Sequence, residues 1–141
     1  MPVRKEYNRN PLDLKPNKAI GVQLPLGGDP LFKLSYTTEE QAISNLKNLI
    51  LTRKGERPFQ PQLGCGIQNV LFEPLDYASG ALIRSEIIDT LRRYEPRINV
   101  NTVVCTPDYM NNGYSVELTY SIIGRDDGTP IAVEFFLERT R

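Results

Sequence analysis

Four carboxylates stand in or beside loops, where chemistry could be set up: Glu56, Glu73, Asp76 and Glu95. Glycoside hydrolysis needs two such groups facing each other across the substrate, one of them protonated. Nothing in the spacing pairs any two of these in a cleft. Asp76 is placed to cap a helix, and Glu73 and Glu95 each precede a proline. Glu56 lies among Arg53, Lys54 and Arg57, a setting for ion pairing rather than for a protonated general acid. Cys65, in Gly64-Cys65-Gly66, has the form of a nucleophile without a partner. The base it would need is usually histidine, and the chain contains none. The flanking glycines are better read as a tight turn.

The lack of histidine also removes the commonest metal ligand. Cys65 and Cys105 are the only cysteines and do not form a metal-binding spacing. No Gly-Lys-Ser/Thr phosphate loop occurs, and no Gly-x-Gly-x-x-Gly follows a strand. The expectation is therefore no catalytic residue, no metal and no cofactor. Seventeen Lys and Arg balance seventeen Asp and Glu. That argues against a mainly electrostatic nucleic-acid binder and suits a protein that lives inside an assembly. The basic stretch Arg53-Lys54-Gly55-Glu56-Arg57 is read as a solvated turn or salt-bridge network. No stretch is apolar for long enough to span a bilayer, and the first residues lack the apolar core of a signal peptide. A reducing, cytoplasmic setting is expected until assembly.

The elements that must position these residues follow from the pattern. Residues 1–35, broken by Pro11, Pro16, Pro25 and Pro30, read as an extended arm with one short strand. Residues 36–141 read as a single domain. Thr38 and Gln41 suggest a capping box, and Ala42, Ile43, Leu46, Leu49 and Ile50 recur at helical spacing, which predicts a helix over 38–52. Gly55, Pro58 and Pro61 then force a loop, and Ile67, Val70, Leu71 and Phe72 mark a short helical turn. Asp76 caps a second long helix with Ile83, Ile87, Leu91 and Tyr94 on one face, stopped before Pro96.

After Pro96 the period becomes two. Strands are predicted over 98–105, ended by Pro107, over 114–123 after an Asn112-Gly113 turn, and over 131–138 after an Asp127-Gly128 turn. The fold class is α+β, with two main helices packed on a three-stranded antiparallel meander. Simple alternation puts Val103, Cys105, Ile123 and Phe136 on the face away from the helices. That face is either covered by the arm or open to a partner.

Two segments carry a resemblance. The first runs from Thr52 through Arg53-Lys54-Gly55-Glu56-Arg57-Pro58-Phe59-Gln60-Pro61, with Gly64-Cys65, to Leu71-Phe72. The second is Tyr94-Glu95-Pro96-Arg97-Ile98. Both resemble the baseplate wedge family of T-even-type phages called gene product 25, whose wider circle includes type VI secretion and other contractile injection systems. The similarity covers residues 38 to 138, with the segments in the same order and spacing.

The resemblance implies a structural subunit of the virion tail baseplate, assembled in the host cytoplasm. Its partners would be the wedge core proteins, the tail sheath protein and proteins near the tube or hub, with neither nucleic acid nor membrane. It implies that Glu95, Pro96 and Arg97 meet the helical core bundle of the wedge. It also implies that Arg53, Lys54, Gly55, Arg57, Pro58, Phe59 and Gly64 form a wedge loop. The sheet would accept a sheath strand near Tyr120, Phe136 and Leu137 and so template the first sheath ring. For the Glu95-Pro96-Arg97 corner, an internal salt bridge is the alternative to a partner contact. The competing functions are a lysozyme-like peptidoglycan hydrolase and a small nucleic-acid adaptor.

Overall fold

Thr37, one residue before the expected cap, starts the first long helix. In the computed structural model, which describes residues 18–24, 26, 32–124 and 128–139, its hydroxyl accepts the N–H of Glu40 at 3.2 Å. The Glu40 carboxylate accepts the N–H of Tyr36 at 3.1 Å. Two orphan donors at the helix entrance are thereby satisfied. Thr37 and Thr38 are followed three residues later by Glu40 and Gln41, so either frame fits the capping signature and the sequence leaves one residue of ambiguity. Helix α1 spans Thr38–Leu51 and buries Ala42, Leu46, Leu49 and Ile50.

Ahead of α1, two short strands, β1 (Gly21–Val22) and β2 (Leu34–Ser35), pair antiparallel. The arm reading anticipated one strand. The ribbon is tied to α1 by the Ser35 hydroxyl, which donates to the Gln41 carboxamide at 2.5 Å, and by Leu24 N–H, which donates to the Ser44 hydroxyl at 3.3 Å. The described part of the arm therefore lies on α1. Residues 1–17 lie outside the described residues.

Helix α2 (Ile67–Val70) is a single turn, and α3 spans Tyr77–Tyr94. Asp76 caps α3 by accepting the Ser79 N–H at 2.7 Å. That bond holds the Asp76 carboxyl below its ordinary pKa range. Ile83, Ile87 and Leu91, one per turn, are buried completely against the sheet.

The sheet is an antiparallel meander of β3 (Ile98–Asp108), β4 (Gly113–Ile122) and β5 (Ile131–Glu138), in that order. Helix α3 packs on β3, where Gly80 lets the helix approach Cys105 closely.

Two features of β3 depart from the pattern reading. Pro107 does not end the strand but pairs with Tyr114. A proline is tolerated in an edge strand, where no ladder bond needs its missing N–H. The register also shifts between Val100 and Thr102, leaving Asn101 as an extra residue. A bulge of one residue exchanges the two faces of the strand. Val103 and Cys105 therefore belong to the helix-facing side with Ile98, correcting their expected place on the open face; Val103 is buried and Cys105 half-buried. The β3–β4 connection is a four-residue loop, Tyr109 to Asn112, rather than a two-residue turn. Asp108 organises it by accepting the N–H groups of Met110 and Asn111 at 3.0 and 3.1 Å. Asn112 takes the left-handed conformation there, with φ 51°. Of the Asp127-Gly128 turn, Asp127 lies outside the described residues.

Burial also sets a pH dependence. It pushes the Cys105 thiol up to about 11 and, with the Glu39 charge adding to it, the Tyr120 phenol up to about 12. Their ordinary values are 9.0 and 10.0. Between the ordinary and raised values the unfolded chain releases protons that the folded chain keeps, so stability is full below pH 9 and falls as pH rises. The urea midpoint is expected to hold steady from pH 7 to 9 and to drop by pH 10.5. Cys105→Ala should flatten the first part of the drop.

Candidate functional site: the helix–strand corner, its loop and the sheet

Glu95 ends α3 with its backbone N–H bonded to Leu91 O at 2.9 Å. Pro96 turns the chain, and Arg97 leads into β3, where its carbonyl accepts the Ile123 N–H at 2.9 Å. The turn folds the two charged side chains onto each other. Arg97 donates from Nε to Glu95 Oε1 at 2.5 Å and from Nη2 to Oε2 at 2.8 Å, a two-pronged pair. Asn45 of α1 donates to the same Oε2 at 3.3 Å.

Glu95 is only 3% exposed, whereas the Arg97 side chain is 43% exposed. The carboxylate raises the Arg97 pKa further above its ordinary range. This is the internal salt bridge that stood as the alternative reading, and it locks α1, α3 and β3 together at one point. Glu95 is enclosed by its partners, and Arg97 keeps one exposed flank.

The loop between α1 and α2 is tied to its surroundings at several points. Cys65 N–H donates to Thr52 O at 2.9 Å, and Arg53 and Cys65 form an isolated parallel bridge. Gly64 has φ 124°, and a Cβ there would stand 2.5 Å from Thr52 O. Glycine is required at this position by both conformation and contact. Gly55 has φ 88° with open space beside it, and its N–H donates to Pro61 O at 2.7 Å.

Lys54 reaches α3 and pairs with Glu86 at 2.9 Å. The same carboxylate oxygen accepts the Gly66 N–H at 3.2 Å. Tyr94, the residue before the corner, donates its hydroxyl to Gln62 O at 2.5 Å. Tyr94 thus joins the loop to the corner, bringing together the two groups that the sequence marked separately. Arg57, Pro58 and Phe59 form the outer part of the loop, and Phe59 is 98% exposed.

Among the acids weighed for catalysis, Glu56 accepts the Arg53 N–H at 2.9 Å and Glu73 accepts from the Ser79 hydroxyl at 3.5 Å. Asp76 is the cap of α3, and Glu95 is held by Arg97. Cys65 is 1% exposed, and burial raises its thiol pKa, the reverse of nucleophile activation.

At the sheet, Tyr120 and Leu137 lie in the core, 0% and 6% exposed. Their side chains face the helices because the pleat places them with Leu118 and Val116. A partner strand near them would therefore meet their backbone or strand edge rather than these two side chains. Phe136 does lie on the outer face, half-exposed, with its ring over Gly113. Asn45 and Glu86 are the residues the sequence reading missed. Both sit on polar helix faces, where nothing local reveals a distant partner.

A family model for baseplate wedge protein gp25 matches residues 37–127. The chain belongs to the gp25 family of baseplate wedge proteins. It is 32% identical over 106 residues to the baseplate wedge protein gp25 of Enterobacteria phage T4, covering 70% of this chain and 80% of the phage protein. Its fold is shared by a putative tail lysozyme from Geobacter sulfurreducens, with TM-score 0.68 and 23% identity over 74% of this chain and 94% of that one. It is also shared by a chain of the anti-feeding prophage baseplate, with TM-score 0.52 and 20% identity over 83% of this chain and 81% of the other. The family match spans α1, the loop, the corner and the first two strands of the meander.

Proposed function

We propose that this protein is a non-enzymatic structural subunit of a contractile-tail baseplate wedge, located in the virion tail and assembled in the host cytoplasm. It holds the helical wedge core through the loop and corner and offers its sheet to the first sheath ring. Proteins near the tube or hub are its further neighbours. The observation that carries this reading is the exposed Phe59 on a loop fixed at three points, by Thr52–Cys65, Lys54–Glu86 and Tyr94–Gln62. A tethered loop presenting a bare aromatic ring loses little entropy on docking, and an aromatic anchor filling a pocket is the usual form of a binding hot spot.

In this arrangement Lys54, Gly55 and Gly64 shape the loop, and Arg53, Arg57, Pro58 and Phe59 make contact. At the corner, Arg97 meets the partner with its exposed flank, while Glu95 and Pro96 hold it in place. Phe59→Ala is expected to weaken binding to purified wedge core proteins by at least about tenfold, the loss of roughly 1.4 kcal/mol or more. Its melting temperature should stay unchanged, since the ring touches little of its own fold. Undiminished binding by Phe59→Ala would refute the anchoring role of the loop.

A further inference from the structure

The two outer strands of the sheet are not equivalent edges. Strand β3 carries Pro107 and the Asn101 bulge, both of which spoil an edge as a template for another strand. Strand β5 has neither, and it pairs in unbroken register with β4 from Ile131 to Glu138.

The direction of its backbone groups follows from one bond. Arg139 N–H donates to Asn112 O at 3.1 Å, one step beyond the Gly113–Glu138 pair. In an antiparallel ladder, bonded and non-bonded pairs alternate. Leu137, Phe135, Val133 and Ile131 are therefore bonded to β4, and the N–H and C=O groups of Ala132, Glu134, Phe136 and Glu138 point to the free side. Among the described residues β5 pairs only with β4. Ile131, Val133 and Phe135 face the core yet remain only partly buried, so the core is unfinished at this edge.

The charge on this part of the molecule is one-sided. The three strands contain Asp108, Glu117, Glu134 and Glu138 and no Lys or Arg, although the whole chain is neutral. Glu117 and Glu134 are register partners on the exposed face. By the same alternation they form a non-bonded pair, the arrangement that brings side chains closest, and like charges there repel.

We infer that the free edge of β5 receives an extended segment of another protein that alternates apolar with Lys or Arg residues. The apolar side chains complete the core beside Ile131, Val133 and Phe135, and the cations lie beside Glu134 and Glu138, relieving the Glu117–Glu134 repulsion. This rests on the proposal that the sheet accepts a strand, and it adds which edge and what chemistry.

The test uses the full chain and two short fluorescein-labelled peptides, one alternating valine with lysine and one alternating valine with glutamate. Fluorescence anisotropy should show the lysine peptide binding about tenfold more tightly at low salt, with the advantage shrinking as salt rises. Glu134→Gln/Glu138→Gln should remove the preference and retain binding. Ala132→Pro removes only an outward-pointing N–H, leaves the β4 ladder intact, and should abolish binding of both peptides. Equal binding of both peptides by the wild type would overturn the charge assignment and leave the edge standing. Binding of neither peptide, or binding undiminished by Ala132→Pro in a variant with wild-type circular dichroism, would overturn the edge itself.

Discussion

Arg97→Ala is expected to lower the melting temperature by roughly 10 °C, from the loss of about 3 kcal/mol spread over a chain of this size. The cause lies with Glu95 rather than with the arginine. Glu95 is 3% exposed, and its two oxygens accept the two prongs of Arg97. Truncating the arginine leaves a buried carboxylate with only the Asn45 carboxamide to satisfy it. Breaking a buried pair on one side costs about 3–5 kcal/mol. The lower end applies here because Arg97 is 43% exposed and water enters from its side.

A double change, Glu95→Gln with Arg97→Ala, should recover much of the loss, since no unpaired charge remains. Thermal melts of the wild type, the single variants and the double variant check this directly. If the double variant is no more stable than Arg97→Ala, the charge is not the reason. The corner thereby carries a warning for binding experiments: weakened partner binding by Arg97→Ala would report damage to the fold as well as a lost contact. Phe59→Ala is the cleaner probe.

Gly64→Ala is expected to be about as damaging, near 3 kcal/mol, while Gly55→Ala costs only about 1 kcal/mol. Both glycines have positive φ, 124° and 88°. They differ in their surroundings. A Cβ at Gly64 would lie 2.5 Å from the Thr52 carbonyl oxygen and 3.0 Å from that of Arg53, both backbone atoms that cannot swing aside. Relief requires opening the Arg53–Cys65 bridge, which anchors the loop. At Gly55 the space is open, so only backbone strain is felt. Urea unfolding should rank the variants in that order, and limited proteolysis should cut the Gly64→Ala loop faster than that of the wild type. Equal costs would show that conformation alone, not the contact with Thr52, governs Gly64.

Much of the architecture was written in local pattern. The apolar stripe of α3, the Asp76 cap, the stop at Pro96 and the period-two strands each follow from neighbours a few residues apart. The fold class follows from their order. What sequence could not show were the consequences of one extra residue and of distant partners. Asn99-Val100-Asn101-Thr102 reads as continuous alternation, and only pairing with β4 reveals that Asn101 is surplus and that Val103 turns inward. Tyr120 and Leu137, by contrast, already fall on the helix-facing side by simple alternation, and the pleat keeps them there. In the Glu95-Pro96-Arg97 corner the ion pair was visible as one of two options. The burial of Glu95, which decides how the corner behaves, depends on Asn45 fifty positions away in sequence.

In the proposed reading the protein is an assembly subunit with two separate contact surfaces, a loop for the wedge core and a sheet edge for the sheath. The most direct test is co-purification of the full chain with wedge core proteins and with sheath protein, comparing the wild type, Phe59→Ala and Ala132→Pro. The wild type is expected to retain both partners, Phe59→Ala to lose the core and keep the sheath, and Ala132→Pro to do the reverse. Retention of neither partner by the wild type, or loss of both partners together in each variant, would contradict this reading.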